Sequence, residues 1–411
     1  MRRRRSYVLN AGVSCRGRAT LCLYAFNNGI LKIEGHFGLE LRAYRELVWA
    51  GREDGDSRRI LPHQRAVALS HSARYARERR WVYSCRMNFR PLGRTGVQVS
   101  QLCCGTMSFG GEADESASGA MYRACRDAGI NFFDTANQYS GGRSEQVLGG
   151  LIQGHRDDVV LATKCFNPTG TDINSRGLSR RHIARAAEES LKRLKTDRVE
   201  VFYLHMHDAA TPFEESLRAL EDLVRAGKVL YPALSNHAAW QTQRAVDIQE
   251  AHGWARVQAI QPMYNLVKRQ AEVEILPMAE SNGIGVMPYS PAGGGLLSGK
   301  YEQKDKPKTG RLVEKAQYEA RYGEDWMHET AARFAAFCKA RGVHPMSMAV
   351  AWAGSHPAVT APIIGGRNLD QLQASLDSVK IVMTPELRAA VAALSRTPPP
   401  ATDRLEEAKP K

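Results

Sequence analysis

From residue 101 onward, the hydrophobic positions of this chain fall into short runs that alternate with amphipathic stretches. A short apolar run bounded by turn residues is typical of a buried β-strand, and an interval with a 3.6-residue period is typical of a helix. Most runs start about 28 residues apart, which is the length of one strand plus one crossover helix. The eight runs begin near Gln101, Ile130, Asp158, Arg198, Lys228, Val257, Ile284 and Ala361.

Eight alternating strand and helix units predict a (β/α)8 TIM barrel. Clear helical patterns cover residues 144–153, 181–194, 212–226 and 330–341. The structural alternative is a doubly wound open sheet, which usually carries a GxGxxG turn after its first strand; here that turn reads GTMSFGG and does not fit. Residues 88–99 predict an N-terminal β-hairpin that turns at residues 94–96. Pro232 lies inside the fifth run, where we expect it to bend or break the strand ladder.

Polar residues follow three consecutive strands at the end where a barrel of this kind carries its active site. Asp134 and Tyr139 follow the second strand, Lys164 ends the third, and His205 ends the fourth. Taken singly, each has a bland interpretation: a helix cap, a packed ring, a solvated amine or a structural imidazole. Four such groups on one rim point instead to a catalytic site.

The chemistry of these four groups suits the reduction of a carbonyl. A tyrosine phenol has a pKa of about 10, and a nearby ammonium favours the phenolate and lowers that value. Lys164 is positioned to do this for Tyr139, and Asp134 supplies the carboxylate that a buried lysine needs. His205 is suited to orient a substrate carbonyl by hydrogen bonding. The residues by themselves do not identify a hydride donor.

The motifs DTANQYSGGRSE, ATK and YLH resemble those of the aldo-keto reductase superfamily. The resemblance covers about residues 88–397 and extends to the branch of bacterial members and potassium-channel β-subunits. It implies a TIM barrel, the reduction of aldehydes or ketones, and a catalytic tetrad of Asp134, Tyr139, Lys164 and His205, with Tyr139 as the proton donor. The carbonyl substrate and the oligomeric state stay open at this stage.

The same resemblance implies NADPH as the hydride source, bound without a Rossmann turn. Ser235, Asn236 and Gln261 match the residues that hold the carboxamide, and Tyr289 matches the ring that stacks on nicotinamide. Arg367 suits a 2′-phosphate, because its guanidinium pairs with phosphate oxygens through two hydrogen bonds. Ala374 and Ser375 replace a common Glu-Asn pair. The full set of expected cofactor residues is Thr106, Met107, Ser235, Asn236, Gln261, Tyr289, Ser290, Pro291, Leu297, Ser298, Lys300, Ile364, Gly365, Gly366, Arg367 and Gln371.

The positive charge of the chain is concentrated at its N-terminal end. Lys and Arg number 57 against 43 Asp and Glu, a formal net charge of +14, of which +11 lies in residues 1–86. Because the body is nearly neutral, binding to nucleic acid is not expected. With no run of about 18 uncharged apolar residues, a membrane-spanning helix is not expected either.

We interpret residues 1–86 as a basic, poorly ordered leader that the fold does not need. It lacks the clean apolar core of a secretory signal, and an acidic cluster at residues 53–56 argues against a transit peptide. Translated sequence upstream of a start at Met87 is the favoured interpretation, and a genuine extension of unknown role is the alternative. Residues 87–397 form the predicted barrel and residues 398–411 a flexible tail.

Two other functions compete with the reductase. His205 and His207, with His237 after the next strand, offer metal ligands for a hydrolase. Some proteins that resemble this family accompany potassium channels and turn over slowly, so a cofactor-binding sensing subunit is the second alternative. The eight cysteines include no CxxC pair, which favours a reducing compartment and a cytoplasmic protein. Rim segments, including residues 302–326, Asn167 and Met107, with Cys165, Phe166, Phe109 and Trp240, are expected to shape the substrate site.

Overall fold

The computed structural model of the protein describes residues 22–25, 31–34, 87–301, 310–404 and 406. Within the N-terminal segment, strands β1 (Cys22–Ala25) and β2 (Leu31–Glu34) form an antiparallel pair in which Cys22 lies opposite Glu34. This pair belongs to a unit separate from the body of the chain. The rest of residues 1–86 lies outside the described residues, so the poorly ordered leader stays a prediction.

The body is built on eight parallel strands, as the spacing of the apolar runs predicted. Neighbours in the sheet follow the order β11, β10, β9, β8, β7, β6, β5, β12. Backbone hydrogen bonds from Ile363 N–H to Pro288 O and from Thr360 N–H to Val286 O, each 2.9 Å long, join the chain at β12 to the chain at β11. These are the two ends of the strand order, so the bonds close the barrel. The strands are β5 (Cys103–Gly105), β6 (Phe132–Asp134), β7 (Val160–Cys165), β8 (Val199–Leu204), β9 (Val229–Ser235), β10 (Ala259–Gln261), β11 (Gly285–Val286) and β12 (Ile363–Ile364).

Helices follow the strands and confirm the (β/α)8 barrel. Side-chain caps begin several of them: Asp114 accepts a hydrogen bond from Ala117 N–H, and Ser179 accepts one from His182 N–H. The described α-helices are α1 (Glu115–Asp127), α2 (Arg143–Leu151), α3 (Arg180–Leu194), α4 (Phe213–Arg225), α5 (Ala239–His252), α6 (Ile275–Asn282), α7 (Arg311–Glu314), α8 (Ala316–Tyr322), α9 (Asp325–Lys339), α10 (Pro345–Gly354), α11 (Leu369–Leu376) and α12 (Pro385–Ala392).

Alternation along the strands divides the apolar residues into two cores. On β8, Val201 and Tyr203 point into the barrel, whereas Phe202 and Leu204 pack under the helices. The interior core is small and continuous, and it includes Cys103, Phe132, Val160, Ala162, Val201, Tyr203, Ala233, Ala259, Met287 and Ala361. A side chain two positions beyond an interior residue therefore enters the barrel at its C-terminal end.

The predicted N-terminal hairpin closes the opposite end of the barrel. Strands β3 (Phe89–Pro91) and β4 (Gln98–Ser100) pair antiparallel, with Arg90 opposite Val99. Leu92 in the turn is fully buried and packs with the interior core. Gly93 adopts a positive φ of 54°, and a Cβ there would lie 2.6 Å from the Gln258 carbonyl oxygen. The turn therefore sits directly against the chain that enters β10.

The expectation that Pro232 breaks its ladder is wrong. Strand β9 continues through it, and Pro232 lies opposite Phe202 of β8. Its carbonyl accepts a hydrogen bond from Gln258 N–H at 3.0 Å. Because the N–H and C=O of one residue point to the same side of a strand, the missing donor faces the chain before β10 begins. No bond between β8 and β9 is lost.

Among the described residues, no helix is both long enough and apolar enough to pass through a membrane. The chain is described as far as residue 404, together with residue 406. The rest of the predicted tail lies outside that range.

The hairpin turn generates a stability prediction. Gly93→Ala should lower the free energy of unfolding by more than about 2 kcal/mol, because it adds a backbone clash to the cost of a left-handed alanine. Gly96 also has a positive φ, 79°, but a Cβ there meets nothing within 4 Å. Gly96→Ala is the matched control and should cost only about 1 kcal/mol. Urea denaturation measures both, and equal losses would show that the turn does not press on the barrel.

Candidate active site

A cavity of about 800 Å³ opens at the C-terminal ends of the strands. Its wall includes residues that end or follow β5, β6, β8, β9, β10 and β12. The polar rim residues point into the cavity because alternate side chains of a strand face the same side, and each of them lies two positions after a residue that faces the barrel interior. The interior residues two positions before Asp134, Lys164, His205, Ser235 and Gln261 are Phe132, Ala162, Tyr203, Ala233 and Ala259.

Lys164 and Asp134 form a buried ion pair beneath the cavity. Lys164 Nζ lies 2.5 Å from Asp134 Oδ1 and also donates to the Thr135 carbonyl at 2.7 Å. The Lys164 side chain is 0% exposed and that of Asp134 is 4% exposed. Burial lowers the pKa of Lys164, but the Asp134 carboxylate and the Tyr139 phenol raise it, and the net shift is upward. Lys164 is therefore a charged ammonium inside the barrel.

Tyr139 stands between this ammonium and the cavity. It begins a 3₁₀ turn (Tyr139–Gly142) in which Ser140 takes a left-handed φ of 51°. Its hydroxyl oxygen lies 3.4 Å from Lys164 Nζ. Burial raises the pKa of Tyr139, whereas Lys164 lowers it, and the net direction is upward. The expected net lowering is not found: in this site, the phenol keeps its proton and can donate it.

His205 lies beside Tyr139, with the two ring centroids 6.1 Å apart and the ring planes at 77°. Burial and the Lys164 charge lower the pKa of His205 from 6.5 to about 3. The imidazole is therefore neutral at physiological pH, and it offers one N–H donor and one acceptor. Its backbone carbonyl accepts a hydrogen bond from Asn236 Nδ2 at 2.9 Å.

The residues expected to hold the carboxamide are connected to this cluster. Tyr289 Oη donates to Asn236 Oδ1 at 2.7 Å, and Ser235 Oγ donates to the backbone carbonyl of Gln261 at 3.0 Å. Gln261 Nε2 donates to Asp134 Oδ2 at 2.9 Å, a hydrogen bond that no motif in the sequence indicates. The carboxylate of Asp134 is thus held through both oxygens, one by Lys164 and one by Gln261.

A glycine-rich turn, Gly293–Ser298, forms another part of the wall. Gly294 and Gly295 have φ values of 64° and 101°, which side chains tolerate poorly. A Cβ at Gly294 would lie 2.6 Å from the Tyr318 ring. The turn therefore needs glycine, and its backbone can approach a bound phosphate closely.

Arg367 and Gln371 lie at the start of α11, which Asn368 caps by accepting from Gln371 N–H. Arg367 pairs with two carboxylates: Nη2 lies 2.8 Å from Glu314 and Nε lies 3.1 Å from Glu112. Neither carboxylate was singled out from the sequence, because the three residues come from distant parts of the chain.

Most of the residues predicted for the site line the cavity, but not all of them. Thr106 is fully buried, with its hydroxyl bonded to Ser144 Oγ at 2.9 Å, and Leu297 is buried in the helix-facing core. Lys164 lies beneath the wall. The predicted residues that line the cavity are Asp134, Tyr139, His205, Met107, Ser235, Asn236, Gln261, Tyr289, Ser290, Pro291, Ser298, Lys300, Ile364, Gly365, Gly366, Arg367 and Gln371.

The residues expected at the substrate end divide in the same way. Asn167 and Met107 line the cavity, whereas Phe109 and Cys165 are buried in the core and Trp240 is 63% exposed outside the lining. Phe166 is likewise absent from the lining. Helix α8 lies within the predicted rim segment 302–326 and adds three wall residues that were not named individually: Gln317, Tyr318 and Arg321. The available signal was the segment 302–326 as a whole, of which residues 302–309 are not described.

The metal-site alternative depends on His205, His207 and His237. The rings of His207 and His237 lie 5.7 Å apart, edge to face, and Phe213 stacks on His237. Across the described parts of the chain, no three His, Cys, Asp or Glu side chains come together in a way that could hold a metal ion.

Comparisons with known proteins agree with this architecture. The sequence model of the Aldo/keto reductase family matches residues 101–396. Over 317 residues, the chain is 38% identical to the uncharacterized oxidoreductase YrpG of Bacillus subtilis (strain 168), covering 73% of this chain and 94% of that protein.

Two further relatives differ in their described roles. A probable voltage-gated potassium channel subunit beta of Oryza sativa subsp. japonica is 33% identical over 327 residues, covering 77% of this chain and 99% of that protein. Versiconal hemiacetal acetate reductase of Aspergillus parasiticus is 30% identical over 333 residues, covering 73% and 94%.

The lowered pKa of His205 predicts an acid-sensitive fold. The unfolded chain takes up a proton at His205 near pH 6.5, whereas the folded chain does so only near pH 3. This contribution to stability is full above pH 6.5 and is lost as the pH falls towards 3. When the pH is lowered from 7.5 to 5.5, the free energy of unfolding should fall in both proteins. The fall should be about 1 kcal/mol smaller in His205→Asn than in the wild type. Urea denaturation at the two pH values measures this, and equal losses would contradict the neutral, buried imidazole.

Proposed function

The chain belongs to the aldo/keto reductase family, and from that premise we propose that it reduces aldehyde or ketone carbonyls to alcohols with NADPH. The observation that carries the proposal is the contact between a protonated tyrosine and a buried, charged lysine at the wall of one cavity. Lys164 Nζ lies 3.4 Å from the Tyr139 hydroxyl, which faces the same space as His205.

The donor set of the cavity fits a nicotinamide dinucleotide. At one end, amide groups of Asn236 and Gln261 suit a carboxamide, and the Tyr289 ring suits a flat heterocycle. Elsewhere on the wall, the glycine turn, Lys300 and Arg367 suit phosphates. NADPH bound there would supply the hydride. Arg367 favours NADPH over NADH in this proposal, because only NADPH carries a 2′-phosphate.

In the proposed reaction, the chain's own residues bind, orient and protonate. His205 donates a hydrogen bond to the carbonyl oxygen and holds it near Tyr139. Tyr139 gives its proton to that oxygen as negative charge develops there. Lys164 stabilises the tyrosinate that this leaves, and Asp134 with Gln261 keeps the ammonium in place. The site thus lowers the energy of a charge that exists only during reaction.

One observation favours a second candidate function. The rice relative carries the name of a channel subunit, and such a role would use the same cavity for cofactor binding with slow turnover. Tight NADPH binding without turnover of any aldehyde would favour it. For either function, the five cysteines within residues 87–404 are free and buried, which supports the proposal of a reducing, cytoplasmic location.

The proposed role of Tyr139 predicts the effect of one variant. Tyr139→Phe should lower the turnover of NADPH and an aromatic aldehyde by about a hundredfold or more, because the proton donor is lost. The affinity for NADPH, measured by fluorescence titration, should stay within about twofold of the wild type. Tyr231→Phe, in β9 away from the cavity, is the matched control and should keep full turnover. Unchanged turnover in Tyr139→Phe would contradict the proposal.

A further inference from the structure

Four charged residues from three separate segments meet at one place on the cavity wall. Arg367 follows β12, Glu112 lies between β5 and α1, and Glu314 and Lys315 stand at the end of α7. Glu112 pairs with both Arg367 and Lys315, and Glu314 pairs with Arg367. Two cations and two anions thus neutralise one another beside the position proposed for a 2′-phosphate.

The two carboxylates hold different edges of the Arg367 guanidinium. Glu112 accepts from Nε at 3.1 Å and from Nη2 at 3.4 Å, which occupies the Nε–Nη2 edge. Glu314 accepts from Nη2 at 2.8 Å. Among the described residues, no carboxylate bonds to Nη1. A phosphate that binds through two parallel hydrogen bonds therefore has one edge left to use, Nη1–Nη2, and Glu314 already occupies half of it.

The carboxylates also differ in how firmly they are held. Glu112 has a second cation, since Lys315 Nζ lies 2.8 Å from its Oε1. Among the ion pairs described, Glu314 has only Arg367, and its Oε1 accepts one further hydrogen bond, from Gly310 N–H at 3.1 Å. Its carboxylate is 37% exposed, and it ends a four-residue helix. Release of Glu314 leaves the Glu112–Lys315 pair intact, so α7 stays attached to the loop before α1.

We propose that Glu314 competes with the cofactor's 2′-phosphate for the Nη1–Nη2 edge of Arg367, whereas Glu112 positions that edge by holding the adjacent Nε–Nη2 edge. Glu314 is thus a specificity-determining residue that weakens NADPH binding, and Glu112 is a positioning residue that strengthens it. The inference rests on the proposed function, because it assumes that Arg367 receives a 2′-phosphate. Removing one carboxylate or the other from the same arginine should therefore change the affinity for NADPH in opposite directions: loss of Glu314 strengthens binding, and loss of Glu112 weakens it.

The test uses the full chain and two nucleotides that differ only in the 2′-phosphate. Adenosine 2′,5′-bisphosphate and adenosine 5′-monophosphate are titrated by calorimetry against the wild type, Glu314→Gln, Glu112→Gln and Arg367→Ala. Glu319→Gln is the matched control: Glu319 is an exposed glutamate on α8 with no described ion pair, so its variant removes the same charge without touching Arg367. Thermal melts verify that each variant is folded.

Glu314→Gln should bind the bisphosphate about two- to fivefold more tightly, and Glu112→Gln should bind it more weakly by a similar factor. The monophosphate affinity should stay the same in both variants, and Glu319→Gln should match the wild type for both nucleotides. Weaker or unchanged bisphosphate binding in Glu314→Gln would overturn the competition. A parallel change for the monophosphate would overturn the link to the 2′-phosphate.

The Arg367→Ala variant distinguishes a failure of the Glu314 competition from a failure of the proposed NADPH binding. If Arg367→Ala weakens only the bisphosphate while Glu314→Gln has no effect, the preference for NADPH stands and the competition is wrong. If Arg367→Ala has no effect, or if the wild type binds neither nucleotide, the assignment of NADPH fails, and the inference fails with it.

Discussion

The buried ion pair between Lys164 and Asp134 is the constraint on which the rest of the site depends. Both side chains have left water almost completely, which is costly unless each charge is paired and hydrogen-bonded. Lys164 meets that condition with Asp134 and the Thr135 carbonyl, and Asp134 meets it with Lys164 and Gln261. Removing one partner of such a pair typically costs about 3–5 kcal/mol, so the barrel must keep β6, β7 and β10 in register.

Burial and the Lys164 ammonium act on the pKa of Tyr139 in opposite directions. Burial favours the neutral phenol, so the proton that the proposed reaction needs is in place. The nearby ammonium favours the phenolate, so it would stabilise the charge that the proposed proton transfer leaves on Tyr139. His205 is kept neutral by the same burial and the same ammonium, which suits it for hydrogen bonding rather than for supplying charge. One cation therefore lowers the pKa of both groups that are proposed to face the substrate carbonyl.

The barrel could be predicted from the sequence because parallel strands that are buried on both faces appear as continuous apolar runs. The sequence was sufficient for Asp134, Lys164, Tyr139 and His205 as well, since the polar residues at strand ends must converge in this fold. Whether a side chain lines the cavity or is buried in the core was harder to predict. Thr106 and Leu297 lie in matching motifs, yet their side chains point into the core. The net direction of the Tyr139 pKa depends on how far the ring is buried, which no motif records. Arg367 pairs with Glu112 and Glu314, which belong to segments far from it in the sequence, so no sequence pattern indicates the pairing.

The most direct test of the coupling between Lys164 and Tyr139 is the pH dependence of kcat for NADPH-driven aldehyde reduction, in the wild type and in Lys164→Met. Under the proposed mechanism, activity should fall at alkaline pH as Tyr139 loses the proton that it would donate. Lys164 lowers the pKa of Tyr139, so without the ammonium the alkaline limb should move to higher pH, and the maximal rate should fall. An alkaline limb that stays in place, or that moves to lower pH, would contradict the account.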